Sequence, residues 1–186
     1  MDNHRHFVLH KPHGTISQFV NPHKRRKKLL GELFNFPPKT MAIGRLDVNS
    51  EGLLLLTTNG KVSEFIRSKK IEKEYYVQVD GIINKKAINL MKKGVVIGFN
   101  GKKYTTKPCN SFLINTPNFE KKKIRDKRHG PTSWVSITLT EGKFRQVRKM
   151  TADVGFPTLR LIRIRVGSVY LEGLKSGEVR EIEGFI

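Results

Sequence analysis

The sequence has few acidic residues, a single cysteine and no long apolar run. With only Cys109 available, an internal disulfide and a cysteine-based zinc site within this chain are excluded, and a reducing cytosol fits best. The longest apolar run is the four leucines at 53–56, far short of the roughly 20 residues that span a bilayer. The first ten residues contain no apolar stretch typical of a secretory signal. We therefore expect a cytoplasmic protein without membrane contact.

Signatures of cofactor and metal binding are also missing. The six histidines, at positions 4, 6, 10, 13, 23 and 129, show no ligand spacing with carboxylates. Neither a phosphate-binding glycine loop nor a dinucleotide fingerprint is present. A structural metal site and a nucleotide cofactor are therefore not expected, although His4 and His6 could bind a metal adventitiously.

Positive charge is what the sequence has in excess. Lys and Arg number 36 against 16 Asp and Glu, which gives a formal net charge of +20, while 37% of residues are hydrophobic. This combination predicts a folded chain with a polyanionic partner. The candidate partners are RNA, DNA and an anionic membrane surface. The membrane is the weakest candidate, because no helix pairs a basic face with a broad apolar one. Charge alone leaves RNA and DNA open, and does not separate a ribosomal protein, a repressor and an RNA-modifying enzyme.

Hydrophobic periodicity predicts an α+β fold. Residues 73–79 alternate in polarity as a strand does, and 84–93 read as a helix with Asn84 as N-cap and Gly94 after its end. Further strands are expected at 7–9, at 103–115 with interruptions at Pro108 and Asn110, and at 134–140, 159–166, 169–171 and 179–182. Helices are expected at 29–34, 62–67 and 143–154. Connections of hairpin length outnumber crossovers, which favours a mainly antiparallel sheet in a single domain covering 1–186.

Several residues are candidates for chemistry, each with a structural alternative. Asp47 follows a glycine and an arginine and could act as a nucleophile or base, or could cap a turn. Glu51 could pair with it or bind a loop backbone. Tyr75 and Tyr76 point to opposite faces of a strand, so one could stack on a base and one could be core, or both could be core.

The segment 141–150 combines apolar and basic residues at helical spacing. The residues expected to face the core are Phe144, Val147 and Val154. The basic residues Arg145, Arg148 and Lys149 group by their spacing of three and four. This basic group could bind phosphate or could be solvated. The basic runs at 23–28 and 121–128 could likewise bind phosphate or be solvated. Phosphate contacts supply affinity but do not recognise the nucleotide sequence, so these runs do not indicate which RNA site is bound.

The order of the motifs is more specific than any one of them. Lys-Pro-x-Gly at 11–14 comes first, Gly-Arg-Leu-Asp at 44–47 with Ser-Glu-Gly at 50–52 second, and Lys-Glu-Tyr at 73–75 third. The long segment 141–150, Leu-Arg-Leu-Ile-Arg at 159–163 and Gly-Glu-Val-Arg at 177–180 follow. Over nearly the whole chain, this series resembles the RsuA/RluE family of bacterial ribosomal-RNA pseudouridine synthases.

The resemblance implies an enzyme that isomerises uridine to pseudouridine in RNA without cofactor or metal. It implies the pseudouridine synthase fold, a central, mainly antiparallel sheet in two lobes with a catalytic cleft between them. It assigns the nucleophile to Asp47, the active-site tyrosine to Tyr75 and the basic partner of the nucleophile to Arg148. The predicted RNA contacts are Lys11, Arg45, Lys24, Arg25, Arg26, Lys143, Arg145, Lys149 and Arg163.

One departure from the family pattern bears on which RNA is the substrate. Many members carry an S4 RNA-binding domain before the Lys-Pro motif, but only ten residues precede Lys11 here. The resemblance is therefore to the RluE-type subgroup, which implies one uridine of 23S rRNA and suggests that the basic loop at 121–128 replaces some phosphate contacts. A monomer is expected. The rivals are a non-catalytic RNA-binding or ribosome-assembly protein and the same chemistry on tRNA or 16S rRNA.

Overall fold

The computed structural model describes residues 4–21, 26–68, 71–122, 124 and 126–185. Its elements are, in chain order, β1 (His6–Lys11), β2 (Met41–Ala42), β3 (Glu51–Thr57), α1 (Gly60–Ser68), β4 (Lys73–Asp80), α2 (Lys85–Lys93), β5 (Val96–Phe99), β6 (Lys102–Thr105), β7 (Asn110–Ile114), β8 (Thr132–Leu139), α3 (Gln146–Asp153), β9 (Thr158–Val166), β10 (Val169–Tyr170) and β11 (Val179–Ile182). Two short 3-10 turns, Leu30–Glu32 and Lys127–His129, complete them. The predicted α+β class with a mainly antiparallel sheet is confirmed.

The chain divides into two compact units. Unit 1 comprises Met1–Ile71 and Ile162–Ile186, and unit 2 comprises Glu72–Leu161. Strand β9 contributes residues 158–161 to unit 2 and 162–166 to unit 1.

Unit 1 is built on the strand order β11-β1-β3-β9, with β2 paired to β3 and β10 to β9. All seven residues of β3 are buried, which explains its continuous leucine run, since a central strand is covered on both faces. Phe7, Leu9, Leu30, Leu54 and Leu56 form one buried cluster.

Strands β3 and β9 run parallel and approach closely at one point. Gly52 lies opposite Arg163, and a Cβ atom built on Gly52 would be 2.2 Å from the Arg163 carbonyl oxygen. The φ angle of Gly52 is +104°, which L side chains rarely adopt. Only glycine therefore fits where the chain enters β3.

Unit 2 has the strand order β9-β4-β8-β7, with α2 and α3 and a separate hairpin of β5 and β6. Strand β4 pairs antiparallel with β8, and its buried residues alternate as Tyr75, Val77 and Val79. At α2 the Oδ1 atom of Asn84 accepts a hydrogen bond from Ala87 N at 2.9 Å. The predicted strand and the predicted cap are both confirmed.

Two sequence predictions were wrong in extent. The helix expected at 29–34 is only the 3-10 turn Leu30–Glu32, although Leu30 is fully buried as its spacing suggested. The helix expected from residue 143 begins at Gln146, because Arg145 has a left-handed φ of 53°. Phe144 therefore lies outside the helix and is 66% exposed, not in the core.

Among the helices that the structure describes, none has the length and apolar character needed to cross a membrane. In the same ranges, no three His, Cys, Asp or Glu side chains group closely enough to hold a metal ion.

Candidate active site

Asp47 lies in the loop between β2 and β3. Both backbone polar groups of the residue before it, Leu46, are hydrogen-bonded to the side chain of Ser17. Leu46 N donates to Ser17 Oγ at 3.0 Å, and the same hydroxyl donates to Leu46 O at 2.9 Å. Leu46 and Ser17 are both buried, so water does not compete for these bonds. Asp47 is half-buried. The loop therefore fixes the backbone from which the Asp47 carboxylate projects.

The residues after Asp47 are held as well. Ser50 N donates to Asp47 O at 2.9 Å, which closes a turn, and Gly14 N donates to Val48 O at 2.7 Å. Gly14 adopts a φ of +85°, and belongs to the turn that follows β1. The first and second sequence motifs therefore meet in unit 1, where one turn supports the other.

Lys11 takes part in this support. Its side chain is fully buried, and Nζ donates to the carbonyl oxygens of Pro12 at 3.0 Å and Thr15 at 2.7 Å. A buried ammonium group must be hydrogen-bonded in this way because it has lost its water. The ammonium of Lys11 thus braces the turn at 12–15, and its predicted contact with RNA stays a prediction.

Arg163 is a second buried cation, and it too is hydrogen-bonded to a backbone carbonyl oxygen. Its Nε donates to Leu53 O at 2.7 Å, so the guanidinium ties β9 to β3. The predicted RNA contact of Arg163 likewise stays a prediction. Arg45, by contrast, is exposed beside Asp47 in the sequence.

The two adjacent tyrosines of β4 differ in environment. Tyr75 is buried at 9% exposure on the face that also carries Val77, whereas Tyr76 on the other face meets Phe119 edge-on with 6.5 Å between ring centroids. Burial raises the pKa of Tyr76, and the negative charge of Glu74 raises it further. The two faces were predicted from the sequence; the catalytic part assigned to Tyr75 stays a prediction.

Glu141 organises the start of the basic segment in unit 2. Its carboxylate accepts hydrogen bonds from Tyr104 Oη at 2.6 Å, Lys107 N at 2.9 Å and Gln146 Nε2 at 2.6 Å. Burial acts to raise the pKa of Glu141, but these bonds and the charge of Lys143 outweigh it and lower the pKa below its ordinary value. Glu141 is thereby held as a carboxylate.

Gln146, the first residue of α3, completes the arrangement. Its Oε1 accepts from Lys143 N at 2.9 Å while its Nε2 donates to Glu141, and the side chain is buried. Arg148 follows two residues later and is half-buried, with its Nε atom shielded from solvent. The start of the helix that carries Arg148 is therefore fixed by a carboxylate and an amide.

The basic residues near α3 contact the hairpin of β5 and β6. Lys143 Nζ lies 5.0 Å from the Phe99 ring centroid and 4.9 Å from that of Tyr104. Lys149 Nζ donates to Gly98 O at 2.6 Å. Arg145 is exposed.

The other predicted RNA contacts belong to the first basic run. Arg26 is exposed, and its guanidinium lies 3.9 Å from the Glu32 carboxylate. Lys24 and Arg25 lie outside the described residues.

The predicted catalytic residues are divided between the units, with Asp47 in unit 1 and Tyr75 and Arg148 in unit 2. Sequence reasoning missed two supporting residues, Ser17 and Glu141. Ser17 gives no local signal, because its partner Leu46 is 29 positions away. Glu141 could have been found, since it is the first residue of the motif at 141–150.

Comparison with known proteins supplies the family. The family model described as RNA pseudouridylate synthase matches residues 5–153. Ribosomal large subunit pseudouridine synthase E of Vibrio parahaemolyticus is 37% identical over 188 residues, which cover 98% of this chain and 76% of the relative. The protein of that name in Xanthomonas campestris is also 37% identical, with 93% and 92% covered. Ribosomal large subunit pseudouridine synthase B of Bacillus subtilis is 34% identical, with 95% and 67% covered.

Similarity to solved structures points to the same family as similarity in sequence. The crystal structure of a pseudouridylate synthase is 28% identical, superposes with a TM-score of 0.76, and is matched over 98% of this chain and 71% of its own. A Cbf5-Nop10-Gar1 complex matches at a TM-score of 0.55 and 16% identity, over 88% of this chain and 49% of its own, which is a likeness of fold. The predicted enzyme class is confirmed, and this chain belongs to the RNA pseudouridylate synthase family.

Proposed function

We propose that the protein converts one uridine of 23S rRNA to pseudouridine, with Asp47 as the nucleophile. The observation that carries the proposal is the loop around Asp47. Its half-buried carboxylate follows Leu46, whose backbone N–H and C=O are both hydrogen-bonded to Ser17 Oγ. Relatives that align with nearly all of this chain bear the name ribosomal large subunit pseudouridine synthase, which favours rRNA as the substrate. Free rRNA and a ribosomal particle are both compatible with it.

The chemistry requires a base that has left the stack. The N1–C1′ bond of uridine breaks, the uracil rotates, a C5–C1′ bond forms, and the proton on C5 is lost while N1 gains one. The Asp47 carboxylate either attacks the sugar or removes a proton at C2′. The reacting atoms are inaccessible within a helix, so the target nucleotide is flipped out.

Arg148 and Tyr75 support this carboxylate and this base in the proposal. A neighbouring guanidinium favours the ionised form of a carboxylic acid, which the nucleophile needs, and we assign that part to Arg148. Tyr75 offers a ring that packs on the flipped uracil and a phenol that can carry a proton. Both residues lie on regular elements, β4 and α3, which hold side chains more rigidly than loops do.

Exposed cations supply the grip on the surrounding RNA. The predicted contacts that are exposed or half-buried are Arg26, Arg45, Lys143, Arg145 and Lys149. The basic segment 121–128, of which positions 123 and 125 lie outside the described residues, is proposed to add phosphate contacts. Replacing its lysines and arginines by glutamine should weaken binding and reduce its salt dependence. Unchanged affinity and salt dependence would reject this part for the loop. A monomeric state and a cytoplasmic location stay predictions.

The nucleophile is tested by Asp47→Asn. We expect this variant to lose pseudouridine formation on a 23S rRNA transcript labelled with tritium at uridine C5, measured as tritium release, while it still binds the transcript. Asp153→Asn is the matched control, because Asp153 is exposed at the end of α3 and should keep full turnover. Wild-type turnover by Asp47→Asn would remove Asp47 from the chemistry. Turnover by the wild type on 16S rRNA or tRNA transcripts alone would reject the proposed substrate.

A further inference from the structure

Phe144 is a large apolar side chain that the fold leaves in solvent. It is 66% exposed and lies just before the left-handed Arg145, which turns the chain before α3 begins. A positive φ in a bulky residue is strained, and such strain is concentrated at functional sites. The local backbone therefore keeps Phe144 out of the helix face where its sequence spacing would have placed it.

One cation lies beside this ring, and a second follows it in the sequence. Lys149 Nζ lies 5.5 Å from the Phe144 ring centroid, and one of its three N–H groups is used on Gly98 O at 2.6 Å. Arg145 is exposed directly after Phe144 in the sequence. The ammonium group of Lys149 is thus fixed beside an exposed aromatic face.

The hairpin of β5 and β6 extends the positive charge. Lys102 and Lys103 are exposed at the start of β6, after the turn at Asn100 and Gly101, whose φ angles are 50° and 71°. Lys149 joins this hairpin to α3 through Gly98, which pairs with Lys103 across the hairpin. Phe144, Arg145, Lys149, Lys102 and Lys103 are called the Phe144 surface below.

We propose that the Phe144 surface binds RNA outside the catalytic residues, with Phe144 stacked on an unpaired base other than the target uridine and the cations on neighbouring phosphates. An exposed ring offers a π face to any base, and flanking ammonium and guanidinium groups match the phosphates on either side. The inference rests on the proposed function in one respect, that the substrate of the enzyme is RNA with unpaired nucleotides.

The test compares two probes that differ in unpaired bases. The first is a labelled single-stranded RNA of about 12 nucleotides, within the site sizes of stacking platforms, and the second is the blunt duplex of the same sequence. Dissociation constants are measured by fluorescence anisotropy for the wild type, Phe144→Ala, Phe144→Trp, Lys149→Gln and Phe112→Ala. Phe112 is the matched control, because it is an exposed phenylalanine of unit 2 on β7.

Phe144→Ala should weaken binding of the single strand by about 5- to 150-fold, the factor that loss of one base–aromatic stack produces. Its binding of the duplex and the slope of its salt dependence should not change, and Phe144→Trp should bind like the wild type. Lys149→Gln should weaken both probes and reduce the salt slope. Thermal unfolding of Phe144→Ala should match that of the wild type, since the side chain is exposed.

Three results would each overturn the inference. These are wild-type binding of the single strand by Phe144→Ala, equal weakening of the single strand and the duplex, and an equal loss in Phe112→Ala. The same measurements in the Asp47→Asn background separate the two proposals. Binding there depends on Phe144 whatever the nucleophile is, while the tritium assay tests Asp47 whatever Phe144 does.

Discussion

Replacing Glu141 should uncouple the hairpin region from the helix that carries Arg148. All three partners of its carboxylate donate hydrogen bonds, Tyr104 Oη and Gln146 Nε2 at 2.6 Å and Lys107 N at 2.9 Å. Hydrogen bonds to a charged group contribute about 1.5–3 kcal/mol each when buried. Since Glu141 is half-buried and water can replace part of this, we expect Glu141→Ala to lower the free energy of unfolding by about 2–4 kcal/mol.

Glu141→Gln is the conservative variant. A glutamine oxygen can accept from Lys107 N and Gln146 Nε2, and its amide can donate to the oxygen of Tyr104, so only the charge is lost. We expect a loss of about 1 kcal/mol for this variant. Glu172→Ala, at an exposed position, is the control and should unfold like the wild type. The measurement is urea unfolding followed by circular dichroism.

The activity assay tests whether Glu141 positions Arg148. Gln146 is the first residue of α3, and a shift of about 1 Å at catalytic groups can cost on the order of 100-fold in rate. Glu141→Ala should therefore lower kcat by about 10- to 100-fold with a smaller change in KM, and Glu141→Gln should restore most of it. A kcat equal to that of the wild type in Glu141→Ala would refute this reasoning.

Acid should remove the contribution of Glu141. Its pKa is lowered in the folded protein because the three hydrogen bonds and Lys143 outweigh the effect of burial. A lowered pKa means that the stabilisation is present above the ordinary value of 4.5 and is lost as the pH falls through the folded pKa. The difference in unfolding free energy between the wild type and Glu141→Gln should therefore shrink below that pH. A constant difference would contradict the assignment of the charge.

Two further predictions concern packing and thiol chemistry. Gly52→Ala should lower the free energy of unfolding by about 3–5 kcal/mol, because its Cβ would collide with the Arg163 backbone at a φ of +104°, whereas Gly60→Ala, which meets nothing within 4 Å, should be nearly neutral in the same urea titration. Equal effects of the two alanines would contradict the close approach of β3 and β9. Burial raises the pKa of the Cys109 thiol to about 11, and Sγ donates to Met91 O at 3.2 Å, so a disulfide reagent at pH 8 should react with the folded protein about 100-fold more slowly than with a free cysteine. Reaction at the rate of a free cysteine would show that Cys109 is accessible.

Features that depend on neighbours in the sequence could be predicted. The alternation of β4 follows from its two-residue period, and places Tyr75 and Tyr76 on different faces. The cap of α2 needs only Asn84 and the amide of Ala87 three residues later. In such cases the physical cause lies within one turn or one strand, so a single segment of sequence contains it.

Features that depend on distant partners, or on a backbone conformation that breaks the local pattern, could not be predicted from the sequence. Ser17 holds Leu46 from 29 positions away, and nothing in either segment indicates the pair. The left-handed conformation of Arg145 interrupts the helical spacing of its own segment, which gives no sign of it. The helical spacing of the segment predicts Phe144 in the core, but the left-handed turn at Arg145 precedes the helix and Phe144 is exposed.

The division of the cations into buried and exposed ones changes what the net charge of +20 means for RNA binding. Lys11 and Arg163 donate to backbone carbonyl oxygens, as does the NH1 atom of Arg160 to Glu120 O at 2.9 Å, because a cation removed from water needs acceptors. Because such a group already has acceptors within the protein, we expect it to add little to the counterion release that accompanies RNA binding. The salt dependence of RNA binding should therefore follow the exposed lysines and arginines, while a neutral substitution at Lys11 or Arg163 should affect folding. The same residue types thus serve two physical purposes, and the acceptor that each one finds decides which purpose it serves.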